Sequence, residues 1–158
     1  MVLKNIDSSS SKQTIEEIGK ILIPVDGSEN SKRAARIAIA IAKTNQSQLI
    51  VLTASAMPSM FPAYPVVEDQ YFDEEERQGK RLVEEIVSLA RQDGVDARGE
   101  VKRADKSVVE VILQTAAEEK VGLIIIGTRG LGGFKKLLTG SVSNAIVAHA
   151  HCNVMVVK

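Results

Sequence analysis

The chain has little cysteine and no excess of either charge. Cys152 is the single cysteine among 158 residues, so neither an intramolecular disulfide nor a multi-cysteine metal site can form, which favours a reducing, cytoplasmic setting. The 20 lysines and arginines balance the 20 aspartates and glutamates, and a neutral chain is not typical of a dedicated nucleic-acid binder. Any anion site must therefore be built locally.

Long hydrophobic runs are also missing. No stretch reaches the roughly 20 apolar residues that a membrane-spanning helix needs, and residues 1–20 hold no apolar segment typical of a signal peptide. With 44% hydrophobic residues, the chain has enough apolar material for one compact core and is too short for two ordinary domains. We expect a soluble protein that is not exported and has no membrane partner.

The first 19 residues differ in composition from the rest. Four consecutive serines, Ser8 to Ser11, lie among polar and charged residues, and such a segment cannot bury enough apolar surface to offset the entropy lost on ordering. We predict a flexible serine-rich tail over residues 1–19 and a single domain over residues 20–158.

The remaining chain alternates short apolar runs with helical patterns. Such strands, apolar on both faces, indicate a mostly parallel sheet covered by helices on both sides, and we predict an open α/β sandwich with five strands. Asp105 is the expected N-cap of the third helix. The expected strands are 20–25, 48–53, 95–103, 123–126 and 153–157, and the expected helices are 29–43, 68–93, 105–120 and 141–148.

Residues 55–67 are expected to form a loop. The segment holds three of the four prolines, with Phe61 and Tyr64 between them, and this composition is typical of an extended connection. Two roles stay open for it, a lid over a ligand or a surface loop that packs its two aromatic residues onto the domain.

Two strand ends carry the candidate site. In parallel α/β sheets, ligands bind outside the carboxyl ends of the strands, at the point where strand order reverses. The turn Asp26-Gly27-Ser28 follows the first expected strand, and Gly127 begins a glycine-rich loop after the fourth. If these two strands are neighbours, both turns lie at one crevice.

The loop 127–140 has a composition suited to phosphate. Its five glycines let the backbone approach a ligand closely, and the helix expected from Ser141 offers free N–H groups with a partial charge of roughly +0.5. The hydroxyls of Ser141 and Ser143 add donors, while Arg129 and two lysines add positive charge. The alternative is a flexible loop followed by an ordinary helix cap.

Two widespread phosphate motifs are absent. A P-loop requires glycine, lysine and then serine or threonine, and neither Gly19-Lys20 nor Gly79-Lys80 continues in that way. A dinucleotide-binding fingerprint would need glycine where Lys135 stands. The loop therefore belongs to neither class.

The spacing Gly127-x2-Gly130-x9-Gly140-Ser141 resembles the ATP-binding signature of universal stress proteins. Residues 21–28, Ile-Leu-Ile-Pro-Val-Asp-Gly-Ser, resemble the first strand of that family, and the closing Val-Met-Val-Val resembles its last. The resemblance covers about residues 20–158 and implies a Rossmann-like parallel sheet in the order 3-2-1-4-5. It also implies ATP, with Mg²⁺ or Mn²⁺, at the switch point and a homodimer joined through the C-terminal strand 153–157.

The same resemblance assigns roles to individual residues. Asp26 would lie beside the nucleoside and reach a divalent ion carried by the phosphates, although a turn cap near Ser28 is an alternative. Ala54 would contact adenine through its backbone. The other implied cofactor-binding residues are Pro24 and Val25 on the nucleoside side, Gly127, Thr128, Arg129, Gly130, Leu131, Gly132 and Gly133 around the ribose and phosphates, and Gly140, Ser141, Val142 and Ser143 on phosphate oxygens.

The chain departs from the family at two positions outside this signature. Thr53 stands where a histidine is common near the end of the second strand, and Asn153 stands where a proline usually follows the position of Cys152. His149, His151 and Cys152 are not expected to bind metal, because a protonated histidine suits the end of the preceding helix. No catalytic set can be assigned, since both histidines lie at one end of the chain.

Three functions compete. The first is an ATP-binding regulatory or stress-response protein, a nucleotide-dependent dimeric switch with at most slow hydrolysis, which signals through an unidentified partner protein. The second is a true ATPase or phosphotransferase, although the chain lacks a P-loop lysine and offers no assignable base for attacking water. The third is a nucleotide-free scaffold or chaperone-like module. The motif glycines and Ser141 favour the first two functions over the third.

Overall fold

A computed structural model describes residues 18–56, 65–105, 107–128 and 140–158. Strands and helices alternate within these ranges, as the sequence predicts. The elements are β1 (Lys20–Pro24), α1 (Glu29–Asn45), β2 (Gln48–Ala56), α2 (Pro65–Gln92), β3 (Ala97–Ala104), α3 (Val108–Glu118), β4 (Leu123–Gly127), α4 (Ser141–His149) and β5 (Asn153–Val157).

The five strands form one parallel sheet in the order β3-β2-β1-β4-β5. This confirms the predicted fold class. β1 pairs with β2 on one side and with β4 on the other, so the strand order reverses at β1. The strands β3 and β5 are the two edges of the sheet.

The two faces of the sheet bury separate apolar clusters. Ile21 and Ile125 belong to the cluster under α1 and α2, whereas Leu22 and Ile124 belong to the cluster under α3 and α4. Side chains of successive strand residues point to opposite faces. The central strands are buried on both faces, which explains why they read as continuous apolar runs.

Serine side chains cap α1 and α3. The hydroxyl of Ser28 accepts from the N–H of Ser31 at 3.2 Å, and that of Ser107 accepts from the N–H of Val109 at 3.2 Å. The prediction of Asp105 as the cap of α3 is therefore wrong. Ser107 directly precedes the first helical residue, and its extended backbone directs the hydroxyl at the first turn.

Two further boundaries are shifted by three residues from the prediction. β2 extends to Ala56 because its last residues pair with the end of β3. α2 begins at Pro65, inside the segment expected to be a loop, and proline suits a first helical turn because its missing N–H would have no partner there. Residues 57–64, with Phe61 and Tyr64, lie outside the described residues. The lid role and the surface-loop role of the segment therefore both stay predictions.

The amino end of the described chain is attached to the sheet. The carbonyl of Ile18 accepts from the hydroxyl of Ser47, and the carbonyl of Gly19 accepts from the N–H of Gln48 at 2.9 Å. Residues 1–17 lie outside the part of the chain that the structure describes. In the described ranges, no helix combines the length and the apolar character needed to cross a membrane.

Candidate functional site

The candidate site lies where β1 and β4 end side by side. The two strands are hydrogen-bonded neighbours with parallel direction, so their carboxyl ends lie at the same edge of the sheet. Because the strand order reverses here, the helices that follow β1 and β4 cover opposite faces, which leaves a crevice between them. The adjacency of β1 and β4, on which the predicted convergence of the two turns depends, is confirmed, whereas the second turn beyond residue 128 lies outside the described residues.

The turn after β1 is held by its own polar groups. The carboxylate of Asp26 accepts from the N–H of Ser28 at 3.0 Å, so it caps this turn, which is one of the two roles predicted for it. Gly27 has a φ of 83°, a left-handed conformation that favours glycine. The hydroxyl of Ser31 accepts from the N–H of Asp26 at 3.4 Å and donates to the carbonyl of Ser28 at 2.9 Å.

Gly127 is required by close packing against α1. A Cβ atom at this position would lie 2.8 Å from the carbonyl carbon of Asn30, 3.0 Å from its oxygen and 3.0 Å from the nitrogen of Ser31. These are backbone atoms, which cannot rotate away as a side chain could. The missing side chain at Gly127 therefore lets the amino end of α1 approach the end of β4, a packing role that the sequence did not reveal.

Thr128 joins the end of β4 to both β5 and α4. Its N–H donates to the carbonyl of Val157 at 2.8 Å. Its own carbonyl accepts from the N–H of Gly140 at 2.5 Å and from the hydroxyl of Ser143 at 3.2 Å. These bonds hold residues 128 and 140 together and place the start of α4 beside the crevice.

The helix α4 begins without a side-chain cap. Its N-cap is Gly140, which makes no side-chain hydrogen bond. Ser141 is exposed, and the first N–H groups of any α-helix lack partners within the helix. Backbone donors of Ser141 and Val142 are therefore directed out of the amino end of α4.

Ser143 departs from its expected role. The residue is 3% exposed, and its hydroxyl lies within donating distance of the carbonyls of Gly140 and Thr128, at 3.0 and 3.2 Å. Since the single O–H is directed at the backbone, it is not available to a phosphate oxygen. Of the groups of Ser143, only the backbone N–H is therefore compatible with the predicted contact to a phosphate oxygen.

The backbone near the end of β2 faces the crevice. The carbonyl of Leu52 accepts from the N–H of Val25 at 2.8 Å, so it points toward β1. Backbone groups alternate sides along a strand, and Ala54 thus directs its N–H and carbonyl to the same side, beyond the last paired residue of β1, Pro24. Pro24 and Val25 are themselves buried.

Two residues that hold the backbone of the site in place, Ser31 and Thr53, were not predicted as site residues from the sequence. Ser31 is 5% exposed and links the turn after β1 to Gly127; its signal was a second serine three residues after the helix cap. Thr53 donates to the carbonyl of Val25 at 2.9 Å, whereas the sequence marks it only as a departure from the family pattern.

Five of the predicted site residues lie outside the described part of the chain. They are Arg129, Gly130, Leu131, Gly132 and Gly133.

The segment from His149 to Cys152 lies between α4 and β5. Both histidines are exposed and Cys152 is half-buried. Burial raises the pKa of the Cys152 thiol, which disfavours the thiolate that a metal would require. Within the described ranges, no three His, Cys, Asp or Glu side chains are grouped so that they could hold a metal ion.

Comparisons with known proteins agree on one family. Residues 17–158 match the model of the universal stress protein family. The universal stress protein YxiE of Bacillus subtilis is 30% identical over 147 residues, which cover 88% of this chain and 98% of the relative. A universal stress protein of Thermus aquaticus is 35% identical over 140 residues, which cover 87% and 97%.

Solved structures share the fold. The universal stress protein UspA from Lactobacillus plantarum has a TM-score of 0.83 at 24% identity and covers 90% of this chain and 99% of its own. A universal stress protein in complex with cAMP has a TM-score of 0.68 at 24% identity, with 90% and 98% covered. A family member from Arabidopsis thaliana with AMP bound has a TM-score of 0.64 at 23% identity, with 88% and 90% covered.

Proposed function

The chain belongs to the universal stress protein family, and we propose that it binds ATP in the crevice between β1 and β4 and regulates a partner through a nucleotide-dependent dimer. The observation that carries the proposal is the start of α4. Thr128 holds Gly140 beside the end of β4, and Gly140 provides no side-chain cap. The N–H groups of Ser141 and Val142, at the positive end of the helix dipole, are suited to bind phosphate.

The nucleoside end of the ligand is assigned to the other side of the crevice. Ala54 directs its backbone N–H and carbonyl past the end of β1, and an adenine edge presents both a donor and an acceptor to such a pair. Two solved proteins with this fold hold cAMP and AMP, which supports an adenine nucleotide as the ligand class. The choice of ATP rests on the spacing from Gly127 to Ser141.

A divalent ion, Mg²⁺ or Mn²⁺, would arrive with the phosphates. Asp26 lies in the turn after β1, where its carboxylate accepts from the N–H of Ser28, and carboxylate oxygens are ligands that Mg²⁺ and Mn²⁺ prefer. One carboxylate does not make a metal site by itself. We therefore propose that the ion binds with the nucleotide and that hydrolysis of ATP is at most slow.

We propose β5 as the edge through which two copies meet. The carbonyl of Val157 accepts from the N–H of Thr128, directly after β4, and backbone groups alternate sides, so Val154 and Val156 direct their backbone groups away from the sheet. Met155 is 38% exposed. Antiparallel pairing with the same strand of a second copy would satisfy these groups by a two-fold contact.

Thr128 supplies the physical link between the nucleotide and the dimer. The same residue bonds Val157 of β5 through its N–H and Gly140 at the start of α4 through its carbonyl. A ligand that moves the start of α4 would therefore act on the end of the dimer strand. This is the basis of the proposed switch.

The first experiment measures thermal stability with ATP and Mg²⁺. The protein is first freed of bound nucleotide by unfolding and refolding. A ligand at 100 times its Kd stabilises the native state by about 2.7 kcal/mol, which raises Tm by about 5–10 °C for a chain of this size. An unchanged Tm at millimolar ATP contradicts nucleotide binding. Release of inorganic phosphate, followed in parallel, separates a switch from a true ATPase.

The second experiment removes one backbone donor from α4. Ser141→Pro deletes the N–H of the first helical residue, a position where proline is favourable, and the extended backbone of Gly140 accepts a following proline. Ser141→Ala is the matched control, since it removes the hydroxyl alone. A hydrogen bond to a charged group contributes about 1.5–3 kcal/mol, so ATP affinity by calorimetry should fall about tenfold or more below the control. Equal affinities would place the phosphate elsewhere.

A third experiment tests the dimer. Val156→Pro removes an outward N–H and Met155→Lys places a charge at the contact, so the double variant should shift toward monomer in light scattering. Leu89→Lys on α2 is the control, because Leu89 is 48% exposed and α2 packs on β2 and β3, on the other side of the sheet from β5. A double variant that stays fully dimeric at micromolar concentration would assign the interface to another surface.

A further inference from the structure

The edge strand β3 is built differently from β5. Four of its eight residues are charged, whereas β5 reads Asn-Val-Met-Val-Val. Both strands lie at an edge of the sheet, and an edge strand presents backbone groups that another strand can pair with. The difference in side chains indicates that the two edges do not behave alike.

Three charged residues of β3, Arg98, Glu100 and Lys102, point to the α3 face of the sheet, and we call them the charge ladder. Their side chains are 35%, 18% and 34% exposed. Arg98 pairs with Glu100, and the ammonium of Lys102 lies 3.0 Å from Glu100. Lys102 also donates to the hydroxyl of Thr115 in α3 at 2.9 Å. A strand added at the β3 edge would extend the sheet on this side and would place its own side chains beside these three charges.

An ion pair with Glu119 connects the charge ladder to α3 and β1. Glu119, at the end of α3, lies 2.8 Å from Arg98 and 2.8 Å from Lys20 at the start of β1. Burial of Glu100 opposes its ionisation, but the hydrogen bonds from Lys102 and Arg98 outweigh this and hold its pKa below the ordinary value. The ladder therefore remains charged at neutral pH.

The outward side of β3 is partly covered by α2. The N–H of Leu49 donates to the carbonyl of Asp96 at 2.8 Å, so the next carbonyl, that of Ala97, points away from the sheet. Arg91 of α2 binds this carbonyl through Nε and Nη2, at 3.0 and 2.8 Å. An outward acceptor at the start of the edge is thereby already used.

We propose that the charge ladder and Arg91 close the β3 edge, so that no strand of a second copy can pair there. An added strand would have to strip water from the partly exposed ladder charges, at a cost that their pairing does not return, and displace Arg91 from Ala97. Inward-pointing charges are one way in which natural sheets block such pairing.

Closure of one edge has a consequence for assembly. If both edges were open, β3 of one copy could pair with β5 of the next, and such a head-to-tail contact repeats without closing into a defined particle. With β3 blocked, contact through the sheet edge is confined to β5 and ends at two copies. This consequence rests on the proposed β5 contact, whereas the closure of β3 does not depend on nucleotide binding.

The test removes the side chains that are proposed to block strand pairing at β3. The variant Arg91→Met, Arg98→Thr, Glu100→Thr, Lys102→Val removes the ladder and the guanidinium, while Glu119 keeps Lys20 as its partner. The control Arg91→Lys, Arg98→Lys, Lys102→Arg retains the charges. Sedimentation velocity over a range of concentrations should show the open-edge variant rising about twofold or more above wild-type mass, since each added copy enlarges the particle. The control should match wild type.

Amide hydrogen exchange locates the new contact. Gly99 and Val101 direct their N–H groups outward by the same alternation as Ala97, so their exchange should slow in the associated variant and stay fast in the control. Wild-type mass in a folded variant overturns the proposal. So does increased mass without protection of Gly99 and Val101, because the association then uses another surface.

A milder variant covers the case in which the fourfold change prevents folding. Arg91→Met, Arg98→Gln, Glu100→Gln, Lys102→Gln removes the same charges with polar side chains of similar length, and Thr115 retains its hydrogen bond to the carbonyl of Val111 at 2.7 Å. This variant should show the same amide protection at higher concentration. Its failure to associate, with far-UV circular dichroism like that of wild type, overturns the proposal equally.

Discussion

Replacing Gly127 by alanine should destabilise the protein before any ligand is considered. The added Cβ would meet three backbone atoms of Asn30 and Ser31 at 2.8–3.0 Å, whereas carbon contacts are favourable at about 3.5–4.0 Å. α1 would have to withdraw by about half an ångström or more, although Ser28 and the hydroxyl of Ser31 tie its first turn to the preceding one. Overpacking of this kind costs typically about 1–3 kcal/mol.

Urea denaturation of the nucleotide-free protein measures this loss. We expect Gly127→Ala to lower the free energy of unfolding by about 2 kcal/mol, which corresponds to a Tm lower by about 4–8 °C. Gly122→Ala is the control, because its Cβ would meet its nearest atom, the Cα of Ile18, at an ordinary 3.5 Å; its effect should stay within about 0.5 kcal/mol. Equal stabilities of the two variants would refute the packing role of Gly127.

Further predictions concern a cap, a hydroxyl and a carboxylate. Ser107→Ala should lower unfolding free energy by about 1 kcal/mol, and Asp105→Ala should not, in urea titrations. Ser143→Ala removes a hydroxyl donor from the carbonyls of Gly140 and Thr128, which keep the N–H groups of Asn144 and Gly140 as donors, and should cost about 0.5–1.5 kcal/mol by the same assay. Because the pKa of Glu100 is lowered on folding, its stabilisation is complete above the ordinary value of 4.5 and is lost as pH falls through the lowered pKa. Below pH 4.5, stability should therefore fall more steeply in wild type than in Glu100→Gln.

Local patterns were sufficient to predict the elements. Runs such as Leu123-Ile124-Ile125-Ile126 are apolar on both faces, and they are strands that helices cover on both sides. Their alternation with helical patterns indicated a parallel α/β sheet. The strand order came from the resemblance of residues 21–28 and of the glycine motif to one family, since periodicity carries no information about which strands are neighbours.

Boundaries and caps were less accessible to the sequence. Asp105 and Ser107 are both good capping residues, and only the backbone conformation at Ser107 decides between them. β2 reaches Ala56 because β3 is long enough to pair with it, which is a property of the partner strand. In both cases a local signal was correct in type and the tertiary environment set its position.

The sequence by itself determined the α/β class of the chain and the presence of a glycine-rich segment between its fourth strand and last helix, because hydrophobic period and glycine content are local properties. Only the tertiary structure decided what individual site residues do. Gly127 is needed by the backbone of α1, the hydroxyl of Ser143 is directed at two carbonyls, and Thr128 links α4 to β5. Each of these roles depends on atoms that are remote in sequence or on a direction in space, and neither is encoded in the spacing of a motif.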